Sequence, residues 1–105
     1  MTLQEFEAGL KAAAPGLVHQ LAAPKKAERY VAWHRYGRDS ILGDNRNQLD
    51  APRVQIDIIS NVLDDTLGDD IAAALWLMDL PYNVVSEGYD DDYAAYRTIL
   101  QLVVV

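Results

Sequence analysis

The sequence predicts an α+β fold: a mixed, mostly antiparallel sheet of about five strands with two helices packed on one face, in the order α-β-β-β-α-β-β. Three observations predict it. Apolar residues recur at helical spacing in two separate segments. Runs rich in aromatic and β-branched residues lie between and after those segments. Pro, Gly and Asp punctuate the runs. Strands clustered between two helices favour antiparallel pairing, with the helices gathered on one side. We see no repeat, linker or low-complexity tract, so residues 1–105 are expected to form a single domain.

Thr2 to Ala14 is expected to be a helix. Thr2 and Glu5 make a capping box, and Leu3, Phe6, Leu10 and Ala13 or Ala14 make one apolar face. Pro15-Gly16 ends it. Leu17 to Leu21 suits a short strand, Pro24 to Arg29 a charged connector, and Tyr30 to Tyr36 a strand. Gly37 to Pro52 has the composition of a long loop, which we expect to be mobile as far as Asp50. In the strand Arg53 to Asn61, Val54, Ile56 and Ile58 share one face, opposite Gln55, Asp57 and Ile59. Asp64 or Asp65 caps a second helix running to about Asp79, with Leu67, Ile71, Ala74, Leu75 and Met78 as its buried stripe. Pro81 stops it. Tyr82 to Tyr89 is a strand and Asp90 to Asp92 a polar turn. In the last strand, Tyr96 to Val105, Thr98, Leu100, Leu102 and Val104 oppose Arg97, Ile99, Gln101 and Val103.

The 105 residues are half hydrophobic, enough for one core. No apolar run approaches the ~18 residues of a membrane-crossing helix. The opening Met-Thr-Leu-Gln-Glu lacks the basic start and apolar block of a secretory signal. We therefore expect a protein made and kept in a cytoplasm unless something larger carries it out. The absence of cysteine excludes disulfides, thiolate metal sites and cysteine nucleophiles. A formal net charge of -7 argues against gripping a phosphate backbone, and the basic residues form only one adjacent pair, Lys25-Lys26.

Asp64, Asp65, Asp69 and Asp70 crowd the start of the second helix. They are candidate oxygen ligands for a divalent metal, but dipole-compensating, solvated charge is the reading we favour. Glu87, Asp90, Asp91 and Asp92 make a second acidic cluster, which suits a solvated turn better than a site. Its flanking Tyr89 and Tyr93 raise its value as an interface. His19 and His34 lie in no metal-ligand spacing, and Ser40, Ser60 and Ser86 lack a nucleophile-elbow sequence. No glycine-rich phosphate loop is present. We therefore expect no catalytic residues, no cofactor and no metal. Trp76 falls on the flank of its helix away from the Ile71 stripe, where it suits either an interface anchor or packing on the chain's own loop or sheet edge. Asp57 and Arg97 share the outer sheet face, where they can pair within the chain or across an interface.

The segment Tyr30-Val31-Ala32-Trp33-His34-Arg35-Tyr36-Gly37 is followed by a polar stretch, then Arg53-Val54-Gln55-Ile56-Asp57-Ile58, a helix, and a closing Tyr96-Arg97-Thr98-Ile99-Leu100-Gln101-Leu102-Val103-Val104. In this order of elements, which spans nearly the whole chain, the sequence resembles the tail-completion proteins of tailed phages and prophages, similar to the lambda-type tail terminator. Gln55, Asp57 and Arg97 match that pattern. The resemblance implies a homo-oligomeric ring, typically a hexamer. Such a ring caps the finished tail tube and offers a head-joining surface, a structural role without catalysis. The implied partners are further copies of the chain, the tail tube protein and a head-connector protein, with no specific nucleic acid and no membrane. The implied place is the virion tail, reached by assembly in the host cytoplasm. Two rival classes stand beside it: a monomeric protein-binding module of prophage or bacterial origin, and a small metal-dependent enzyme built on the acidic clusters.

Overall fold

A computed structural model describes residues 1–23, 28–41 and 49–105, with side chains described except at 38–41 and 49–50. Seven elements follow one another: α1 (Leu3–Ala13), β1 (Val18–Gln20), β2 (Arg29–Ile41), β3 (Leu49–Ser60), α2 (Leu67–Leu77), β4 (Tyr82–Asp90) and β5 (Ala95–Val103). The five strands make one sheet in the order β1-β2-β3-β5-β4. Among the described residues, only β1 runs parallel to its neighbour; the other three pairings are antiparallel. The α+β class, the element order and the mixed, mostly antiparallel sheet are those expected from the sequence.

α1 forms where the capping box predicts. Thr2 accepts from the Glu5 N–H at 3.1 Å, and Glu5 returns the bond from the Thr2 N–H at 3.0 Å. Its apolar face puts Phe6 and Leu10 at zero exposure. In α2 the stripe is Leu67, Ile71, Ala74 and Leu75, all buried, with Met78 partly buried beyond the helix end. The helices approach closely at Gly9, where an added Cβ would stand 2.5 Å from the Met78 Sδ. Both helices lie on the same face of the sheet, against Val31, Trp33, Val54, Ile56, Ile58, Leu100, Leu102 and Val104. The rings of Phe6 and Trp33 meet edge to face at 5.4 Å.

β3 is the central strand, paired with β2 on one side and β5 on the other. Its alternation is the one expected: Val54, Ile56 and Ile58 are buried beneath the helices, while Gln55 and Asp57 turn the other way. Ile59 also lies on that outer face, yet it is buried, between its cross-strand partners Tyr30 and Arg97.

The expected long loop from Gly37 to Pro52 is strand at both ends. β2 continues through Ile41 and β3 begins at Leu49, in register from Gly37↔Arg53 to Ile41↔Leu49 across a bulge between Arg35 and Gly37. Cross-strand pairing overrides a polar composition that intrinsic preference assigns to loop. Residues 42–48, and 24–27 of the charged connector, lie outside the described residues. Two ends also shift: α2 stops at Leu77, because Asp79 takes φ 57°, and β5 stops at Val103.

The opposite fates of neighbouring leucines in α2 give a test of its orientation. Leu75→Ala is expected to lower the unfolding free energy by about 2–5 kcal/mol. Leu77, 79% exposed, should tolerate the same change within about 0.5 kcal/mol. Urea titration of both variants measures the contrast.

Candidate interaction surface

With Leu67, Ile71, Ala74 and Leu75 turned inward, the remaining side chains of α2 must face out. Trp76 is 80% exposed, as its place on the helical wheel predicts. It stands at a shallow hollow of about 370 Å³ shared with Ala72, Leu80, Pro81 and Tyr82. On the other flank of α2, Leu77 and Ala73 meet Gly9, Ala12 and Ala13 of α1 around a groove of about 460 Å³. Trp76 and Leu77 thus form an apolar ridge between two concavities. Isolated exposed apolar residues are ordinary, and adjacent ones beside hollows suit a contact surface.

The four aspartates at the start of α2 do not act together. Asp65 is built into the fold. Its carboxylate accepts from Arg29 Nε at 2.6 Å and from the second Arg29 nitrogen at 2.9 Å. It also accepts from Ser60 Oγ at 2.5 Å and from the Leu67 N–H at 3.1 Å. It therefore supplies the helix-start acceptor expected of Asp64 or Asp65, while Thr66, at the cap position, makes no side-chain bond. Hydrogen bonds from Arg29, opposed by burial, hold the Asp65 carboxyl well below the usual carboxylate range. Asp64, Asp65 and Asp69 line a cleft of about 360 Å³ with Glu87 of β4, and Asp70 lies toward α1. Among the described residues, no group of three or more His, Asp or Glu side chains is arranged to hold a metal. Among them too, no helix is long and apolar enough to cross a membrane.

The remaining interface candidates fall on two faces. Asp57, Arg97 and Tyr93 come together on the outer face. Arg97 donates to Asp57 at 2.9 Å and to Asp90 at 3.4 Å, and its guanidinium lies 4.7 Å from the centre of the Tyr93 ring. Asp57 thus pairs with Arg97 inside the chain, one of the two arrangements expected for them. Beside them Gln101 donates to Gln55 at 3.2 Å, and Gln55 donates to Asp57 at 3.0 Å. Tyr89 lies on the helix-bearing face instead, its ring edge to face with Tyr96 at 5.6 Å. Trp76 belongs to that side as well. The expected turn is stabilised by the Asp92 N–H donating to Asp90 at 2.9 Å.

Sequence reasoning missed the Arg29–Asp65–Ser60 cluster and the bond from Trp33 Nε1 to Glu7 at 2.9 Å. Arg29 and Asp65 are 36 residues apart, so no local spacing announces their contact. No family model matches the chain, and no curated protein matches it.

The Asp65 cluster sets a pH dependence. A carboxyl whose pKa is depressed by folding takes up its proton more readily in the unfolded chain, so its contribution is fully present above about pH 4 and fades as pH falls toward the depressed value. Because Arg29 is well exposed at 39%, the charge interaction is partly screened. Asp65→Asn is expected to cost about 2 kcal/mol at pH 7. The gap between wild type and variant should narrow below about pH 4. Denaturant titrations at pH 7 and pH 3 check this; an equal gap at both would refute it.

Proposed function

We propose that this chain is a structural subunit of a phage or prophage tail, which assembles as a ring, caps the tail tube and provides the head-joining surface. The observation that supports this most is the apolar ridge of Trp76 and Leu77 beside its two hollows. A tryptophan buries roughly 150–250 Å² of surface when covered, and a neighbouring subunit would remove that area from water. A net charge of -7 suits a ring through which DNA passes without being gripped. The resemblance in element order supplies the setting: copies of the chain in a virion tail, assembled in a host cytoplasm, against tail tube protein on one side and a head-connector protein on the other. The same ridge also suits a monomeric protein-binding module, and concentration-dependent mass separates the two readings.

Trp76→Ala is expected to leave the fold intact and to weaken association by about 2 kcal/mol or more. Sedimentation of the wild type and variant measures it, and imaging with tail tubes shows whether rings sit at the tube ends. A chain that stays monomeric at every concentration and leaves tube ends bare would overturn the reading.

A further inference from the structure

Among the described residues, the sheet ends at both margins in unpaired backbone. β4 forms one margin and is paired through β5 alone. Every residue from Tyr82 to Tyr89 is exposed, with Val84 and Val85 each at 53%. At the other margin, β1 covers only Val31 to Trp33 of β2. Among the described residues, no strand pairs with the outer side of β2 from His34 to Ile41. A long exposed edge is a template for another strand, and chains that remain alone blunt it with Lys, Pro, a bulge or short length. β4 is nine residues long and contains neither Lys nor Pro. Its bulge, between Val84 and Ser86, stands beside exposed valines rather than charges.

We infer that these two edges meet: β4 of one copy pairs antiparallel with the His34–Ile41 stretch of the next, continuing the sheet from subunit to subunit. Strand direction allows it. Across β2-β3-β5-β4 every neighbouring pair is antiparallel, so β4 runs opposite to β2. Repeating the unit sideways therefore sets the next β2 antiparallel to β4, and a slide of about four residues along the strands, which a tilt of the strands to the ring axis supplies, carries Glu87, level with Val31 through Ile58 and Thr98, past the stretch that β1 covers to Arg35.

Charge favours it. From Asp57 to Asp92 the chain has ten acidic residues and no Lys or Arg, whereas Lys25 to Arg53 has seven basic residues against four acidic. The β4 margin lies in the first segment and the β2 margin in the second. Antiparallel alignment brings the Glu87–Asp90 end of β4 against the His34–Arg35 end of the open β2 edge. The faces match as well. Glu87, aligned with Thr98, and Arg35, aligned with Val54, both belong to the helix-bearing face. Asp90, aligned with Ala95, and His34, aligned with Gln55, both belong to the outer face. The opposite charges of Glu87 and Arg35, on one face of adjacent strands, attract. Because the two edges differ, their contact is head-to-tail, which generates a closed ring or a filament rather than a two-fold dimer.

This inference rests on the ring reading, and amide exchange separates the two. Exchange is followed in the dilute and in the assembled protein, alongside sedimentation of Glu87→Arg, Arg35→Glu and the double variant. Amides in 34–41 and 82–90 are expected to slow by about tenfold or more on assembly. Each single reversal should weaken association by about tenfold, and the double variant should recover most of it. Assembly with the β4 amides exchanging as fast as in the monomer, or a double variant without recovery, overturns the edge pairing and leaves the ring standing. A chain monomeric at all concentrations overturns both.

Discussion

The rest of the structure depends on the burial of Val54, Ile56 and Ile58 beneath the two helices. These alternate residues fix which face of β3 is inside, and β3 is paired on both sides. A slip of one residue would turn Gln55 and Asp57 into the core, so the register of both neighbours is held as strongly as that core is. From β2 the constraint passes to Val31 and Trp33, and from β5 to Leu100 and Leu102. Each meets α1 or α2 on the same side. The apolar end of the chain follows from it too: Leu102 and Val104 are buried, and the Val104 N–H donates to the Pro52 carbonyl at 3.0 Å.

Asp65 joins this core to the start of α2. One carboxylate holds the first strand residue of β2, the last of β3 and the first turn of the helix. Its oxygens are occupied by donors, which leaves them poorly suited to a cation. Asp64 keeps a left-handed backbone with φ 56°, which aspartate tolerates better than most residues. The acidity of this helix start is therefore structural at Asp65 and solvated at Asp69 and Asp70, which are both exposed.

What was legible in the sequence was what periodicity encodes. The helix stripes, the β3 alternation and the outward Trp76 follow from spacings of two and 3.6 residues. The arms of the β2-β3 hairpin were not legible, since Arg38, Asp39, Ser40 and Asp50 carry the composition of a loop, and only pairing across the hairpin makes them strand. Strand order was equally hidden. β4 follows α2 in the chain, yet it lies at the margin because β5 turns back to take the place beside β3. Tyr82 to Tyr89 looks from sequence like any half-buried strand, and its exposure at every residue is a consequence of that topology. The side-chain ladder of Gln55, Asp57, Arg97 and Gln101 was legible as a shared face but not as a run of hydrogen bonds from Gln101 through Gln55 and Asp57 to Arg97.

That network bears on which surface meets a partner. On the outer face Arg97 already has Asp57, Asp90 and the Tyr93 ring, Gln101 donates to Gln55, and Gln55 donates to Asp57. Covering them would strip water from charges that gain no new partner, and such desolvation offsets much of any contact formed. Across the sheet, Trp76, Leu77 and Tyr82 surround hollows with few polar groups to satisfy, and Val84 and Val85 lie on the adjoining strand. Burying these removes apolar area at roughly 25 cal/mol per Å², and the unpaired backbone of β4 gains hydrogen bonds rather than losing them. The balance favours the surface along α2 and β4 for the proposed contact, with Asp57 and Arg97 holding the sheet beneath it.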